Sequence, residues 1–252
     1  CHHGYSRHIR TWLKQQPGSV HLNGEEALFY FPLKNGDLLE ISLEEEHPSE
    51  NIVPVDLPIH IIYEDEDLMV IDKPADMPVH PSAGNYENTL ANGVAWSYRQ
   101  QGETFVYRCI NRLDRDTTGV LVLAKNPLSG ALLSTQMKQR RIRRTYLALT
   151  DGIPPEKGTV RAPIARVNDS VITREVNFER SEPAVTHYER LAVSNGYALV
   201  ELHLETGRTH QIRVHMASIG HPILGDLVYG PTKCPFRLQG QTLHARILGF
   251  VH

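Results

Sequence analysis

The chain has 252 residues, 40% of them apolar and 22% charged, with a formal net charge of −3. This is an ordinary globular composition with enough apolar side chains for a sizeable core, and it excludes a disordered, collagenous or repeat protein. No apolar run approaches the roughly 20 residues of a spanning helix, and the three cysteines (Cys1, Cys109, Cys234) lack CxxC spacing, which argues against a disulfide framework or a cysteine zinc site and suits a reducing, cytoplasmic compartment.

The charge is unevenly spread. Residues 1–68 carry four basic and thirteen acidic side chains, whereas the remaining residues carry 22 basic and 16 acidic ones. Such blocks are either solvated surface or the mark of two units, an acidic front and a basic body that would make any polyanion contact. The chain starts at Cys1 rather than Met, which predicts a missing true N-terminus and leaves a targeting segment open.

In chain order, Ile9, Trp12 and Leu13 at i, i+3, i+4 predict a short amphipathic helix within Ser6–Lys14. A strand ending in an Asn23-Gly24 turn follows, then strands at Ala27–Phe31 and Leu38–Leu43. Glu44–Pro58, with four Glu, one Asp and three Pro, reads as a linker. This divides the chain into a small unit (1–45), a linker (46–58) and a larger unit (59–252). In the larger unit the pattern predicts strands near Ile59–Tyr63, Leu68–Ile71, Val120–Ala124, Thr145–Leu149, Thr186–Val193, Tyr197–Leu204 and Leu243–Leu248. Helices are predicted at Asn88–Gln100, Pro127–Gln139 and Arg208–Ile219. There is no regular βαβ repetition, so the fold class is α+β, with a mixed, largely antiparallel sheet.

Three stretches carry candidate chemistry. Arg112-Leu113-Asp114-Arg115-Asp116-Thr117-Thr118-Gly119 is either a surface turn or a carboxylate held ionised by flanking Arg at the rim of a core, available as a nucleophile. In Thr206–Met216 a helix drawn from Arg208 puts Arg208 within about 80° of Ile212, Met216 and Ile219. Arg208 would then point inward and need an anion, with Asp114 the candidate, or else snorkel to solvent. His210 and His215 lie about 140° apart on that helix, poorly placed to share a metal and expected to be structural. Lys138, Arg140, Arg141, Arg143 and Arg144 put five cations in seven residues: a phosphate-binding patch or a solvated helix end. Strand alternation places Tyr146 with Arg144 and Ala148 and opposite Leu147 and Leu149, so its ring can stack on a base beside the patch. No GxGxxG, P-loop, HExxH or GxSxG occurs. What remains is one carboxylate, with no metal and no cofactor.

Asn111–Gly119 resembles the active-site motif of the RluA family of pseudouridine synthases. Arg144–Leu149 and Thr206–His215 resemble its next two motifs, and Asp72-Lys73-Pro74-Ala75, Val79-His80-Pro81, Gly220–Asp226 and Tyr229-Gly230 also match. The resemblance covers about residues 60–250, with Asn111 where His is common and Thr118 where Ser is common. Residues 6–43 resemble a degenerate S4 RNA-binding domain. The family resemblance implies a catalytic domain with a cleft, preceded by a small S4-like α/β domain, and isomerisation of specific uridines in RNA to pseudouridine. It implies Asp114 as nucleophile, Arg112 entering the space left by a flipped uridine, Tyr146 contacting the uracil and Arg208 pairing with Asp114. Arg112, Arg115 and the five cations of the patch are the expected RNA contacts. The expected partner is ribosomal RNA rather than transfer RNA, although the acidic front is an odd RNA clamp, and the expected state is a monomer with no membrane partner. Two rivals remain: an N-glycosidase using Asp116 as a second carboxylate, and a non-catalytic RNA-binding module.

Overall fold

A computed structural model of the chain describes residues 5, 7–45, 47–168, 170, 172–179, 181–231, 234 and 236–252. The first unit is a helix, α1 (Arg7–Leu13), and a three-stranded sheet of β1 (Val20–Leu22), β2 (Glu25–Glu26) and β3 (Leu39–Ile41) in the order β2-β1-β3. Ser6, the first residue of the predicted helix, lies outside the described residues. Ile9 and Leu13 of α1 are buried, while Arg7, Arg10 and Lys14 lie exposed along its other side. Asn23 and Gly24, both at positive φ, make the tight turn between β1 and β2, as Asn-Gly pairs do in hairpins. Ala27–Phe31 is not a strand: the Phe31 amide turns back onto the Leu28 carbonyl, and Leu28, Phe29, Tyr30 and Phe31 stay exposed.

The Pro- and Glu-rich stretch after β3 has no regular structure, yet it is strapped to the larger unit. Glu45 pairs with Arg108, the Ser49 hydroxyl accepts from the Tyr107 amide at 2.8 Å, and the Asn92 amide side chain donates to the Val53 carbonyl at 2.7 Å. Leu57 and Ile59 then pack on the core, and Gly93 leaves room for them; a Cβ there would meet Ile59 at 2.9 Å.

The body is an eight-stranded sheet ordered β4-β5-β6-β13-β7-β12-β11-β8: β4 (His60–Glu64), β5 (Leu68–Lys73), β6 (Thr118–Ala124), β7 (Arg143–Asp151), β8 (Lys157–Arg161), β11 (Val185–Ser194), β12 (Tyr197–Leu204) and β13 (Leu243–Gly249). Every pairing is antiparallel except that of β6 with β13. A separate ribbon, β9 (Ile164–Arg166) with β10 (Arg174–Val176), stands beside it. The β8 and β9–β10 segments are rich in Lys, Arg, Gly and Pro and lack the apolar alternation that reveals a strand from sequence.

Two helices, α2 (Leu90–Gln101) and α4 (Gln211–Ser218), bury Leu90, Val94, Tyr98, Ile212 and Met216 against Ile71, Leu121, Leu123, Tyr146, Val200 and Leu202 on one sheet face. The third, α3 (Pro127–Lys138), lays Leu133 on Leu68, Val122 and Ala124 of the other face. Asn126 caps α3 and Pro127 takes its first position. No helix among the described residues is long and apolar enough to cross a membrane.

The parallel β6–β13 contact depends on Gly119. Its φ is +105°, and a Cβ there would sit 2.1 Å from the Ala245 carbonyl oxygen. Gly119→Ala should therefore lower folding stability by on the order of 3 kcal/mol; an unchanged urea midpoint would show that the two strands separate freely. The strap makes a second prediction. A chain beginning at Ile59 leaves the buried Asn92 side chain without its Val53 acceptor, so it should lose about 1–3 kcal/mol relative to a chain beginning at Glu44. Equal denaturation midpoints for the two truncations would mean that the strap contributes nothing.

Candidate active site

One cleft of about 1130 Å³ opens between the loop Asn111–Thr117, the end of α3 and the turn after it, the loop Thr206–His210 and the β9–β10 ribbon. Its floor is formed by Arg144 and Tyr146 of β7 and Leu204 of β12. Asp114 is positioned there by its own loop. Leu113 is buried, the Thr117 amide turns back onto the Asp114 carbonyl, and Asn111 pins the loop start by accepting the Val122 amide at 2.9 Å. Beneath the loop, fully buried Lys73 at the end of β5 donates to the carbonyls of Pro74, Met77 and Arg115 at 2.6–2.8 Å. Burial pulls the Lys73 ammonium down to about 8, against the opposing pull of Asp116, Asp114 and Asp76. Lys73 thus ties the Asp114 loop to the sheet through backbone carbonyls.

The cation on Asp114 is Arg213, not Arg208. Arg213 Nη1 lies 3.0 Å from Asp114 Oδ2, while its Nε and Nη2 grip the two oxygens of Asp226 at 2.7 and 2.8 Å. The Asp226 side chain is 0% exposed and that of Arg213 is 7% exposed; the amides of Val228 and Tyr229 also donate to Asp226. Burial alone would raise the Asp226 carboxyl, but the Arg213 hydrogen bonds and charge and the two amides outweigh it and hold it below its ordinary value. Burial likewise disfavours the Arg213 cation, and the two carboxylates more than reverse that. Arg208 instead pairs with exposed Glu182 and donates to the Pro183 carbonyl.

The expectation for Arg208 failed because α4 begins three residues later. His210 takes a left-handed φ of +57° just before it, so the 100° projection does not extend back to Arg208. From Gln211 onward the same arithmetic puts Arg213 about 60° from buried Met216, which was the available signal. The Gln211 side chain holds the loop before the helix, accepting from the Thr206 hydroxyl and the Arg208 amide and donating to the Val185 carbonyl and Thr186 hydroxyl.

The remaining candidates separate. Arg112 is exposed on the cleft rim and Tyr146 is buried on its floor, where burial pushes the phenol up to about 12. Arg115 turns away and pairs with Asp76, so it does not flank the Asp114 carboxylate as expected. Lys138, Arg140 and Arg144 line the cleft, and Arg141 and Arg143 do not. Asp116 is outside it, in a shallower apolar hollow with Leu147, Leu149 and Gly240, and so is not placed to activate water beside Asp114. His215 is structural: it bridges the Thr186 hydroxyl and the Ala162 carbonyl. His210 lines the cleft with its Nδ1 on the Tyr229 hydroxyl, and the β9–β10 ribbon adds Arg166 and Arg174, three positions that sequence reasoning did not single out as site residues.

This arrangement presents a carboxylate paired with Arg213 beside an aromatic floor in a basic cleft. Comparison with known proteins gives it a family. Residues 67–218, more than half of the chain, match the family model described as RNA pseudouridylate synthase. Ribosomal large subunit pseudouridine synthase D of Zymomonas mobilis is 42% identical over 237 residues, covering 88% of this chain and 74% of the relative. The uncharacterized RNA pseudouridine synthase YjbO of Bacillus subtilis is 38% identical over 250 residues, covering 99% and 87%. The solved structure of human RNA pseudouridylate synthase domain containing 1 superposes with a TM-score of 0.65 at 28% identity, covering 76% of this chain and 78% of that one. The chain belongs to the RNA pseudouridylate synthase family: it is an isomerase that converts uridine in RNA to pseudouridine.

Proposed function

We propose that this isomerase acts on uridines of ribosomal RNA, with Asp114 as its nucleophile. The observation that carries the reading is the ion-paired Asp114 carboxylate, fixed by Arg213 and facing a cleft whose walls hold six or more cationic side chains, Arg112, Lys138, Arg140, Arg144, Arg166 and Arg174 among them. Relatives named ribosomal large subunit pseudouridine synthase D favour ribosomal over transfer RNA.

A uridine in structured RNA must leave its stack before a carboxylate reaches it, at a cost of a few kcal/mol. Arg112 on the rim stands where it can fill the gap left behind. Tyr146 gives the uracil a floor, and the cleft holds the base while the N-glycosidic bond breaks and the ring reorients, so that it is not lost to water. Arg213 keeps Asp114 aimed throughout; it is a positioning residue in this scheme, with buried Asp226 behind it.

The N-terminal unit fits a guiding role. Residues 1–43 balance four basic against four acidic side chains, so all nine excess negative charges of residues 1–68 lie in the strap and the start of the body. That removes the objection to α1, whose exposed Arg7 and Arg10, with Lys14 just after it, offer a row of cations to phosphates in the manner expected of an S4-like domain.

Mapping pseudouridine in ribosomal and transfer RNA, with and without the protein, tests the target; modification confined to transfer RNA would overturn it. Asp114→Asn should abolish isomerisation while largely keeping RNA binding, read by product analysis and by titration. Residual turnover near wild type would remove Asp114 from the chemistry. Arg213→Ala strands the Asp226 charge and should cost about 3–5 kcal/mol of stability. In double-mutant cycles Asp114 and Arg213 should couple, whereas Asp114 and Arg208 should add within about 0.5 kcal/mol. Because the folded Asp226 pKa lies below 3.8, its contribution is complete above that value and is lost as the pH falls through the lower folded value. Arg213→Ala should flatten this acid limb of the stability curve, and an unaltered limb would assign it to other carboxyls.

A further inference from the structure

Arg144 differs from every other cation of the cleft. It lies on the floor beside Tyr146, it is largely buried, and its Nε is buried without a hydrogen-bond partner. Among the described residues no carboxylate lies within ion-pair distance of it, although two carboxylates line the same cleft. Both are engaged elsewhere: Asp114 by Arg213 at 3.0 Å, and Glu205 by His187 at 2.7 Å with Arg140 and Arg161 at the edge of pairing distance. Burial accordingly pushes the Arg144 guanidinium below its ordinary pKa, and only the Tyr146 oxygen opposes that. A guanidinium keeps its proton, so the charge remains in the pocket without a counter-charge.

A Cβ on Gly207 would sit 2.4 Å from Arg144 Nη1, so the guanidinium lies close against the Gly207 backbone. Arg144 and Tyr146 are two residues apart on one strand face, a separation of roughly 6–7 Å. A base on Tyr146 and a phosphate attached to the same nucleotide can therefore reach both.

We infer that Arg144 is a preformed subsite for a phosphate of the nucleotide whose base lies on Tyr146. The inference rests on the reading of the cleft as the RNA site and adds to it the anion that completes the floor. The planar fork of a guanidinium suits two phosphate oxygens at once. A partly buried cation without a counter-charge destabilises the free protein, so the subsite trades stability for ligand.

The test compares wild type with Arg144→Met and Arg144→Lys in the full chain. Binding of uridine, uridine 3′-monophosphate and uridine 5′-monophosphate is titrated, and thermal unfolding is followed with and without inorganic phosphate. Wild type should bind one of the monophosphates at least about tenfold more tightly than uridine, and inorganic phosphate should raise its melting temperature. Arg144→Met should melt at the same or a higher temperature in phosphate-free buffer, bind uridine and the monophosphates alike, and lower the salt slope of RNA binding by about one. Arg144→Lys, which keeps the charge without the fork, should retain only part of the preference. Equal binding of uridine and both monophosphates by wild type would overturn the subsite, as would an Arg144→Met variant that melts lower yet keeps the preference. If Arg144→Met does not fold, full wild-type preference in Arg144→Lys argues against the fork. These readings need no turnover, so a protein that senses phosphate but leaves RNA unmodified would refute the Asp114 chemistry and not the subsite.

Discussion

A guanidinium held between two carboxylates organises the molecule's chemistry. Arg213 cannot lose its proton, and Asp226, wholly buried, cannot remain charged without it. Each makes the other tolerable, and the guanidinium's remaining nitrogen, Nη1, is then aimed at Asp114. The carboxylate that faces the cleft thus inherits its orientation from a charge pair deeper in the protein. Two segments about a hundred residues along the chain from Asp114, the first turn of α4 and the loop after Ile223, must be correctly folded before Asp114 is fixed.

The backbone around the cleft carries the consequences. His210 and Arg140, both at its edge, hold left-handed φ values of +57° without being glycine. Such conformations persist only where the surroundings over-determine them. Around His210 the surroundings are visible: the Gln211 carboxamide grips the preceding loop, and Tyr229 holds the imidazole. Lys73 does the corresponding work under the opposite wall, where three carbonyls converge on one ammonium. The site is built on strand ends and short loops clamped by buried polar side chains, which keeps it rigid without covering it.

Charge is partitioned along the same lines. Acidic side chains are concentrated in the strap and the start of the body, while the cleft gathers arginines from β7, the α3–β7 turn and the β9–β10 ribbon. A polyanion is thereby repelled from one region and drawn to the other.

The sequence by itself determined the elements whose apolar pattern is strong. β12 falls on its predicted residues, and β5, β6, β7, α2, α3 and β13 fall within two residues or so of theirs, because each buries one regular face. It also marked the Arg-Asp-Arg motif around Asp114 as a candidate site, because its residue types stand out wherever they sit. It did not show β8 or the β9–β10 ribbon, where polar residues pair through backbone hydrogen bonds that leave no side-chain signature. Ala27–Phe31 shows the converse, an apolar run of strand composition that bonds to β1 only through the Ala27 amide and then turns on itself. Which arginine meets Asp114 was decided only in three dimensions. Arg208 and Arg213 are five residues apart in one motif, and a single left-handed residue between them sends one to Glu182 and the other inward. Local periodicity does not register such a turn, because the strain at His210 is tolerated through contacts with Tyr229 and the Gln211-held loop that exist only once the chain has folded.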